Sequence, residues 1–134
     1  MNMEIAFPGG KKVNAAYNGF IIETDQLKSD GGDGSAPQPY DLFLASIGTC
    51  AGIYVLYFCQ ERGIDTSKLK MTIRFDWNEK KHLVEAVRMH ISLPPGFPEK
   101  YKAAVLKVAG LCTVKRNILD PPEFLIDADI QPDA

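Results

Sequence analysis

Pro39-Tyr40-Asp41-Leu42-Phe43-Leu44-Ala45-Ser46-Ile47-Gly48-Thr49-Cys50-Ala51-Gly52-Ile53-Tyr54-Val55-Leu56-Tyr57-Phe58-Cys59-Gln60-Glu61-Arg62-Gly63 contains the long apolar run of the chain. Pro39 suits a first helical turn, because its missing N–H would have no partner there and its φ is already helical. Asp41 adds negative charge where the helix dipole welcomes it, and Gly63 stops the run after Glu61-Arg62. The apolar part, Leu42 to Phe58, is shorter than a usual membrane span and carries Ser46, Gly48, Thr49 and Gly52. The stretch therefore predicts a buried core helix, not a membrane segment, and no membrane partner. Because it is apolar all round, it has to be covered on every side.

Upstream of this helix, Lys28 to Pro39 reads as a loop in which Gly31, Gly32 and Gly34 free the backbone. It has neither the Gly-Lys-Ser/Thr ending of a phosphate cradle nor a Glu at calcium-loop spacing, so it is expected to be a connector. Before it come short apolar runs: Ile5 and Phe7, then Val13, Ala15 and Tyr17, then Phe20 and Ile22. Pro8-Gly9-Gly10 and Asn18-Gly19 separate them, and Asn-Gly is a hairpin turn because both positions accept positive φ. The chain is expected to open as antiparallel strands.

Downstream, Met71, Ile73, Phe75 and Trp77 alternate with polar residues, and past a turn at Asn78 to Lys81 so do Val87, Met89, Ile91 and Leu93. This predicts a hairpin with one wet face. Pro98 can open a second helix, with Tyr101, Ala104, Val105 and Val108 at helical spacing up to Gly110, and a short helical turn from Cys112 to Leu119 follows. After Pro121-Pro122, the alternation of Phe124, Ile126 and Ala128 predicts a last strand. No repeat or linker interrupts the 134 residues, so a single α+β domain over 1–134 is expected.

The formal charge is −2, from 15 basic and 17 acidic residues, and no basic run exceeds Lys11-Lys12 or Lys80-Lys81. A nucleic-acid partner is therefore not expected. Met1-Asn2-Met3-Glu4-Ile5 lacks the basic and apolar regions of a signal peptide, so the chain is expected in a reducing cytoplasm with its three cysteines as thiols.

Cys50 sits midway along the apolar helix among Ala45, Ser46, Gly48, Thr49, Ala51 and Gly52, which leave room beside its sulfur. Gly costs roughly 1 kcal/mol against Ala inside a helix, so Gly48 and Gly52 point to close packing or a pocket. From the residues alone Cys50 reads first as a small core hydrophobe, the commonest fate of a buried free cysteine, since nothing near it in sequence would lower its pKa. Cys112 follows Gly110 and would start the next helix with Lys115 and Arg116 about one turn on, a setting that favours thiolate; a capping or packing role fits it as well. Cys59 is nine residues after Cys50, half a turn off at about 100° per residue, and reads as a structural thiol. His82 and His90 form no ligand pair and no Cys-x-x-Cys occurs, so neither a metal nor another cofactor is expected.

Gly31-Gly32-Asp33-Gly34-Ser35-Ala36-Pro37-Gln38-Pro39-Tyr40-Asp41-Leu42-Phe43-Leu44-Ala45-Ser46-Ile47-Gly48-Thr49-Cys50 resembles the OsmC/Ohr family pattern of a glycine loop, paired prolines, an acidic residue, an apolar run and a cysteine. Cys112-Thr113-Val114-Lys115-Arg116-Asn117-Ile118-Leu119 is similar to the family's Cys-Pro-Val-x-x-x-Leu segment. The resemblance implies an OsmC-like fold with antiparallel sheets wrapped around central helices in an intertwined homodimer. It also implies reduction of organic hydroperoxides, with Cys50 oxidised to a sulfenic acid and Cys112 closing a disulfide that a dithiol or lipoyl-type reductant resets.

Against the family's peroxidase branch, Gly9-Gly10-Lys11-Lys12 stands where an arginine follows two glycines, and lysine gives charge without a planar fork. Lys11, Lys12 and Arg116 become the candidate thiolate stabilisers. Tyr40 falls where that branch has a glutamate, with Asp41 the neighbouring acid and a further candidate, and Thr113 replaces the usual proline. The rival expectation is a non-catalytic ligand-binding or redox-sensing member with the same dimer; a purely structural protein comes third.

Overall fold

A computed structural model describes residues 1–133. Three strands, β1 (Glu4–Gly9), β2 (Lys12–Tyr17) and β3 (Phe20–Thr24), form an antiparallel sheet in that order. The turn between β2 and β3 is the expected one, with Asn18 at φ 47° and Gly19 at φ 80° closing the pair Tyr17 and Phe20. The helix α1 spans Pro39–Glu61. A hairpin follows, β4 (Lys70–Asn78) with β5 (Leu83–Ser92). The chain ends with a 3-10 turn at Glu99–Tyr101, α2 (Lys102–Ala109) and α3 (Thr113–Leu119). This is the mixed α+β architecture expected, with two small antiparallel sheets and three α-helices among the described residues.

By its contacts the chain forms two compact units, Met1–Thr49 with Met71–His90, and Cys50–Lys70 with residues 91–133. In the first unit, Gly48 lies against Ile73 of β4, and Tyr40, at the start of α1, meets Trp77 edge-on at 6.3 Å between ring centres. In the second, Val55, Cys59, Val105 and Cys112 are fully buried. The Arg62 guanidinium lies 3.6 Å from the centre of the Phe58 ring, so a cation covers an aromatic face of the core.

Of three expectations, one is met only in part by a single chain and two need correction. The first concerns α1, whose buried residues Ile47, Ala51, Val55, Phe58 and Cys59 recur at three- and four-residue spacing along one stripe. Tyr40, Phe43, Ile53 and Tyr57 are exposed, so a single chain does not cover the helix on every side.

The second concerns the hairpin. Trp77 is exposed, and in β5 the half-buried side is first Val84 and Ala86, then Met89 and Ile91. Val87 is exposed, whereas from Arg88 onward the expected alternation holds, with Met89 and Ile91 half-buried between exposed Arg88, His90 and Ser92; Arg88 Nε donates to Asp76 Oδ2 at 2.7 Å. Among the alternating apolar residues the pattern thus fails at Trp77 and Val87 alone, toward the turn end of the hairpin. The third is the last strand: Phe124, Ile126 and Ala128 have no ladder, and Phe124 and Ile126 are strongly exposed. An alternating pattern makes a strand only where a partner edge supplies hydrogen bonds.

Candidate active site

Cys50 lies in the middle of α1, half-buried, with all three cysteines as free thiols. The hydroxyls beside it are turned to the helix backbone: Ser46 Oγ donates to the Phe43 carbonyl at 2.6 Å and Thr49 Oγ1 to the Ala45 carbonyl at 3.1 Å. Both satisfy their own turn and leave the sulfur of Cys50 without a polar hand from its neighbours.

Cys112 is buried at the junction of α2 and α3, where it is the N-cap residue of α3. Its Sγ accepts the backbone N–H of Lys115 at 3.4 Å, so the thiol fills the place that a Ser or Asp oxygen takes in most caps. Lys115 Nζ folds back over Gly110, 3.5 Å from where a Cβ there would stand, close to the last carbonyls of α2. Arg116 Nη2 donates to Thr113 Oγ1 at 3.3 Å. Both cations of this segment thus lie near the Cys112 cap, Arg116 held by a hydrogen bond.

The two cysteine segments meet through Tyr54 and Thr113. Tyr54 stands four residues beyond Cys50, on the same helix face. Its hydroxyl lies 3.0 Å from Thr113 Oγ1, on the residue next to Cys112. Tyr54 also opens a groove of about 420 Å³ walled by Tyr57, Phe58, Ala104 and Val108, to which Glu61, Arg62 and Lys107 bring charge.

Cys59 is fully buried, and burial pushes its thiol pKa up while Arg62 pulls it partly back. An uncharged thiol in the core fits the structural role expected for it. Asp41 serves the start of α1: its Oδ2 accepts the Gln38 N–H at 3.2 Å, as the third residue of a capping box does.

Lys12 is engaged elsewhere, its Nζ 2.6 Å from Asp33 Oδ2, and this carboxylate raises the lysine pKa. Lys11 carries no ion pair among the described residues, and its Cε passes Gly31 at 3.5 Å from where a Cβ would be. Among the described residues no three His, Cys, Asp or Glu side chains cluster as a metal site requires.

Two contributors escape a reading of the sequence. Tyr54 has one faint signal, its four-residue spacing from Cys50. Asp25 has none. Fully buried, its Oδ2 accepts Ser35 Oγ at 2.6 Å, Ser35 N–H at 3.1 Å and Asp33 N–H at 3.3 Å, and its Oδ1 accepts Gln26 N–H at 2.7 Å. These bonds, led by those from Ser35, hold its pKa at about 2. The glycine loop is therefore ordered around a carboxylate. Gly32 is obligatory there, since a Cβ would collide with the Gln26 carbonyl.

The family described as OsmC-like protein matches residues 32–126. No curated protein matches the sequence significantly. Among solved structures, the chain is similar to an osmotic stress induced and detoxification response protein from Psychrobacter arcticus, at 18% identity and TM-score 0.74 over 87% of each chain. It is similar to an OsmC-like protein from Mycoplasma pneumoniae, at 14% identity and TM-score 0.69, over 90% of this chain and 87% of that one. A third is an organic hydroperoxide resistance protein OsmC from Legionella pneumophila, at 18% identity and TM-score 0.55, over 88% of this chain and 89% of that one. At these identities the structural likenesses speak for the fold alone.

Proposed function

This chain belongs to the OsmC-like protein family, and from that premise we propose that it is a thiol-dependent peroxidase reducing organic hydroperoxides with Cys50 and Cys112. A stress-related redox role is supported by the family and by the description of the Legionella relative. The finer assignment rests on one observation: Tyr54, one turn beyond Cys50, is hydrogen-bonded to the residue beside Cys112. Two thiols 62 residues apart in sequence (112 minus 50) therefore belong to adjoining segments of one unit.

In this reading the Cys50 thiolate attacks the outer peroxide oxygen. The O–O bond breaks, the alcohol leaves with a proton, and Cys50 becomes a sulfenic acid. The Cys112 thiolate then attacks the Cys50 sulfur, the S–S bond forms and the hydroxyl leaves as water. A dithiol or lipoyl-type reductant returns both sulfurs to thiols and is itself oxidised to a disulfide. Lys11 and Arg116 remain the candidates for steadying charge at the thiols; Lys12 and Asp41 would first have to leave Asp33 and Gln38.

The working form is proposed to be a cytoplasmic homodimer of single-domain chains. The exposed Phe43, Ile53 and Tyr57 of α1 and the exposed apolar residues from Phe124 to Ile130 support a second copy.

The test is consumption of cumene hydroperoxide with dihydrolipoamide or dithiothreitol, beside Cys50→Ser and Cys112→Ser. Catalytic consumption that disappears in Cys50→Ser is expected. No turnover by the fully reduced wild type would overturn the peroxidase reading. The second reading, a ligand-binding or redox-sensing protein, is favoured by the Lys12–Asp33 pair, which occupies a cation of the early glycine segment. It predicts thiol oxidation without turnover.

A further inference from the structure

We propose that Tyr54 is a positioning residue which, through Thr113, holds Cys112 ready to close a disulfide with Cys50. The inference rests on Cys50 and Cys112 being the reacting pair, and it adds a residue that neither cysteine motif contains.

Thr113 occupies the first position of α3, where a fixed φ would help and where threonine supplies none. A free hydroxyl there competes for nearby backbone groups and loosens the turn. Here Oγ1 is engaged on two sides, by Arg116 Nη2 at 3.3 Å and by the Tyr54 hydroxyl at 3.0 Å. Arginine can only donate, so the remaining lone pair and the hydroxyl proton of Thr113 are available to Tyr54. The Arg116 contact is local to α3, whereas Tyr54 comes from α1, 59 residues away. Tyr54 is thus a tertiary hydrogen-bonded restraint on the cap, beside the burial of Cys112 itself.

What the restraint holds is the sulfur of Cys112, one residue before Thr113, buried and accepting the Lys115 N–H. The other end of the tether is on the helix face of Cys50. When Cys112 thiolate attacks the Cys50 sulfenic sulfur, the S–S bond forms, the S–O bond breaks and the hydroxyl leaves as water. A capped segment ordered beforehand spares that step the loss of chain freedom. Tyr54 has no part in the earlier attack of Cys50 on peroxide, so the two steps respond differently to its loss.

The experiment measures two rates in wild type, Tyr54→Phe, Thr113→Val and Thr113→Ser. One is capture of Cys50 sulfenic acid by dimedone after cumene hydroperoxide. The other is closure of the Cys50–Cys112 disulfide, by mass spectrometry, driven by peroxide and separately by diamide, which takes both electrons and both protons from the dithiol. Closure is expected to slow roughly 3- to 10-fold in Tyr54→Phe and Thr113→Val, the effect of one lost hydrogen bond. Thr113→Ser keeps the wild-type rate, and sulfenic acid forms equally fast in all four. Closure as fast in Tyr54→Phe as in wild type overturns the inference, as does Thr113→Ser behaving like Thr113→Val. Diamide closure without peroxide consumption removes the peroxidase reading and leaves this comparison to decide for Tyr54. No closure under either oxidant removes the pair and the inference together.

Discussion

Gly48 and Ile73 approach so closely that a methyl group on Gly48 would stand 2.5 Å from Ile73 Cδ1. The contact joins the apolar helix to the hairpin strand β4, and it explains a glycine where helix propensity asks for anything else. Alanine would recover roughly 1 kcal/mol of propensity, while overpacking costs about 1–3 kcal/mol. Because the opposing atom is the end of a flexible side chain, the lower part of that range applies. Gly48→Ala is expected to be neutral to destabilising by about 1 kcal/mol. In an Ile73→Val background, which removes Cδ1, the same change becomes stabilising by up to about 1 kcal/mol. Denaturant midpoints of the four proteins decide; purely additive effects would mean that the two residues are not coupled.

Asp25 sets a pH dependence. Its pKa is held at about 2 by the Ser35, Gln26 and Asp33 donors, below the ordinary 3.8. A carboxyl with a depressed folded-state pKa stabilises fully above its unfolded pKa, and that contribution is lost as pH falls through the folded pKa. Asp25→Asn is expected to lower the melting temperature by several degrees at pH 6. The gap to wild type narrows between about pH 4 and pH 2. A gap constant from pH 6 to pH 2 would show that the charge on Asp25 does not contribute.

Thiol labelling separates the cysteines. Cys50 is half-buried, whereas Cys59 has no exposed surface and burial raises its pKa, which withholds the thiolate that alkylating reagents need. With iodoacetamide on the native protein, Cys50 is expected to react at least 10-fold faster than Cys59, with Cys59 labelled only as the chain unfolds. Cys59→Ala should leave peroxide consumption within about twofold of wild type, since Cys59 lies half a turn from Cys50. Equal labelling of Cys50 and Cys59 in folded protein would contradict the burial.

The apolar tail predicts association. Phe124, Leu125, Ile126 and Ile130 are all more than three-quarters exposed, a strip that a monomer would not keep in water. Light scattering is expected to give twice the 14.8 kDa chain mass. Paired Phe124→Lys and Ile126→Lys substitutions should weaken the dimer at least 10-fold, about 1.4 kcal/mol. A stable monomer in the wild type at micromolar concentration would remove the homodimer from the proposed function.

Much was legible locally. Pro39 and Gly63 bracket α1 because a missing N–H and a positive φ, here 63° at Gly63, act within one turn of the backbone. Asn18-Gly19 closes its hairpin for the same reason, and Cys112 starts α3 as its neighbours imply. Cys50 and Cys112 could be singled out by motif, although nothing in their spacing says that their segments adjoin.

What required the tertiary structure was every relationship between side chains far apart in the chain. Asp25 draws its donors from Asp33 and Ser35, 8 and 10 residues on, through a loop whose glycines carry no directional signal. Tyr54 and Thr113 meet across 59 residues. Arg88 of β5 meets Asp76 of β4 across 12 residues. The alternating Phe124, Ile126 and Ala128 lack a ladder because hydrogen bonding needs an edge that this segment does not find within the chain. Amino-acid order determines backbone preferences over one or two turns; folding decides which distant polar groups come within 3 Å, because that depends on how loops close and what they exclude from water.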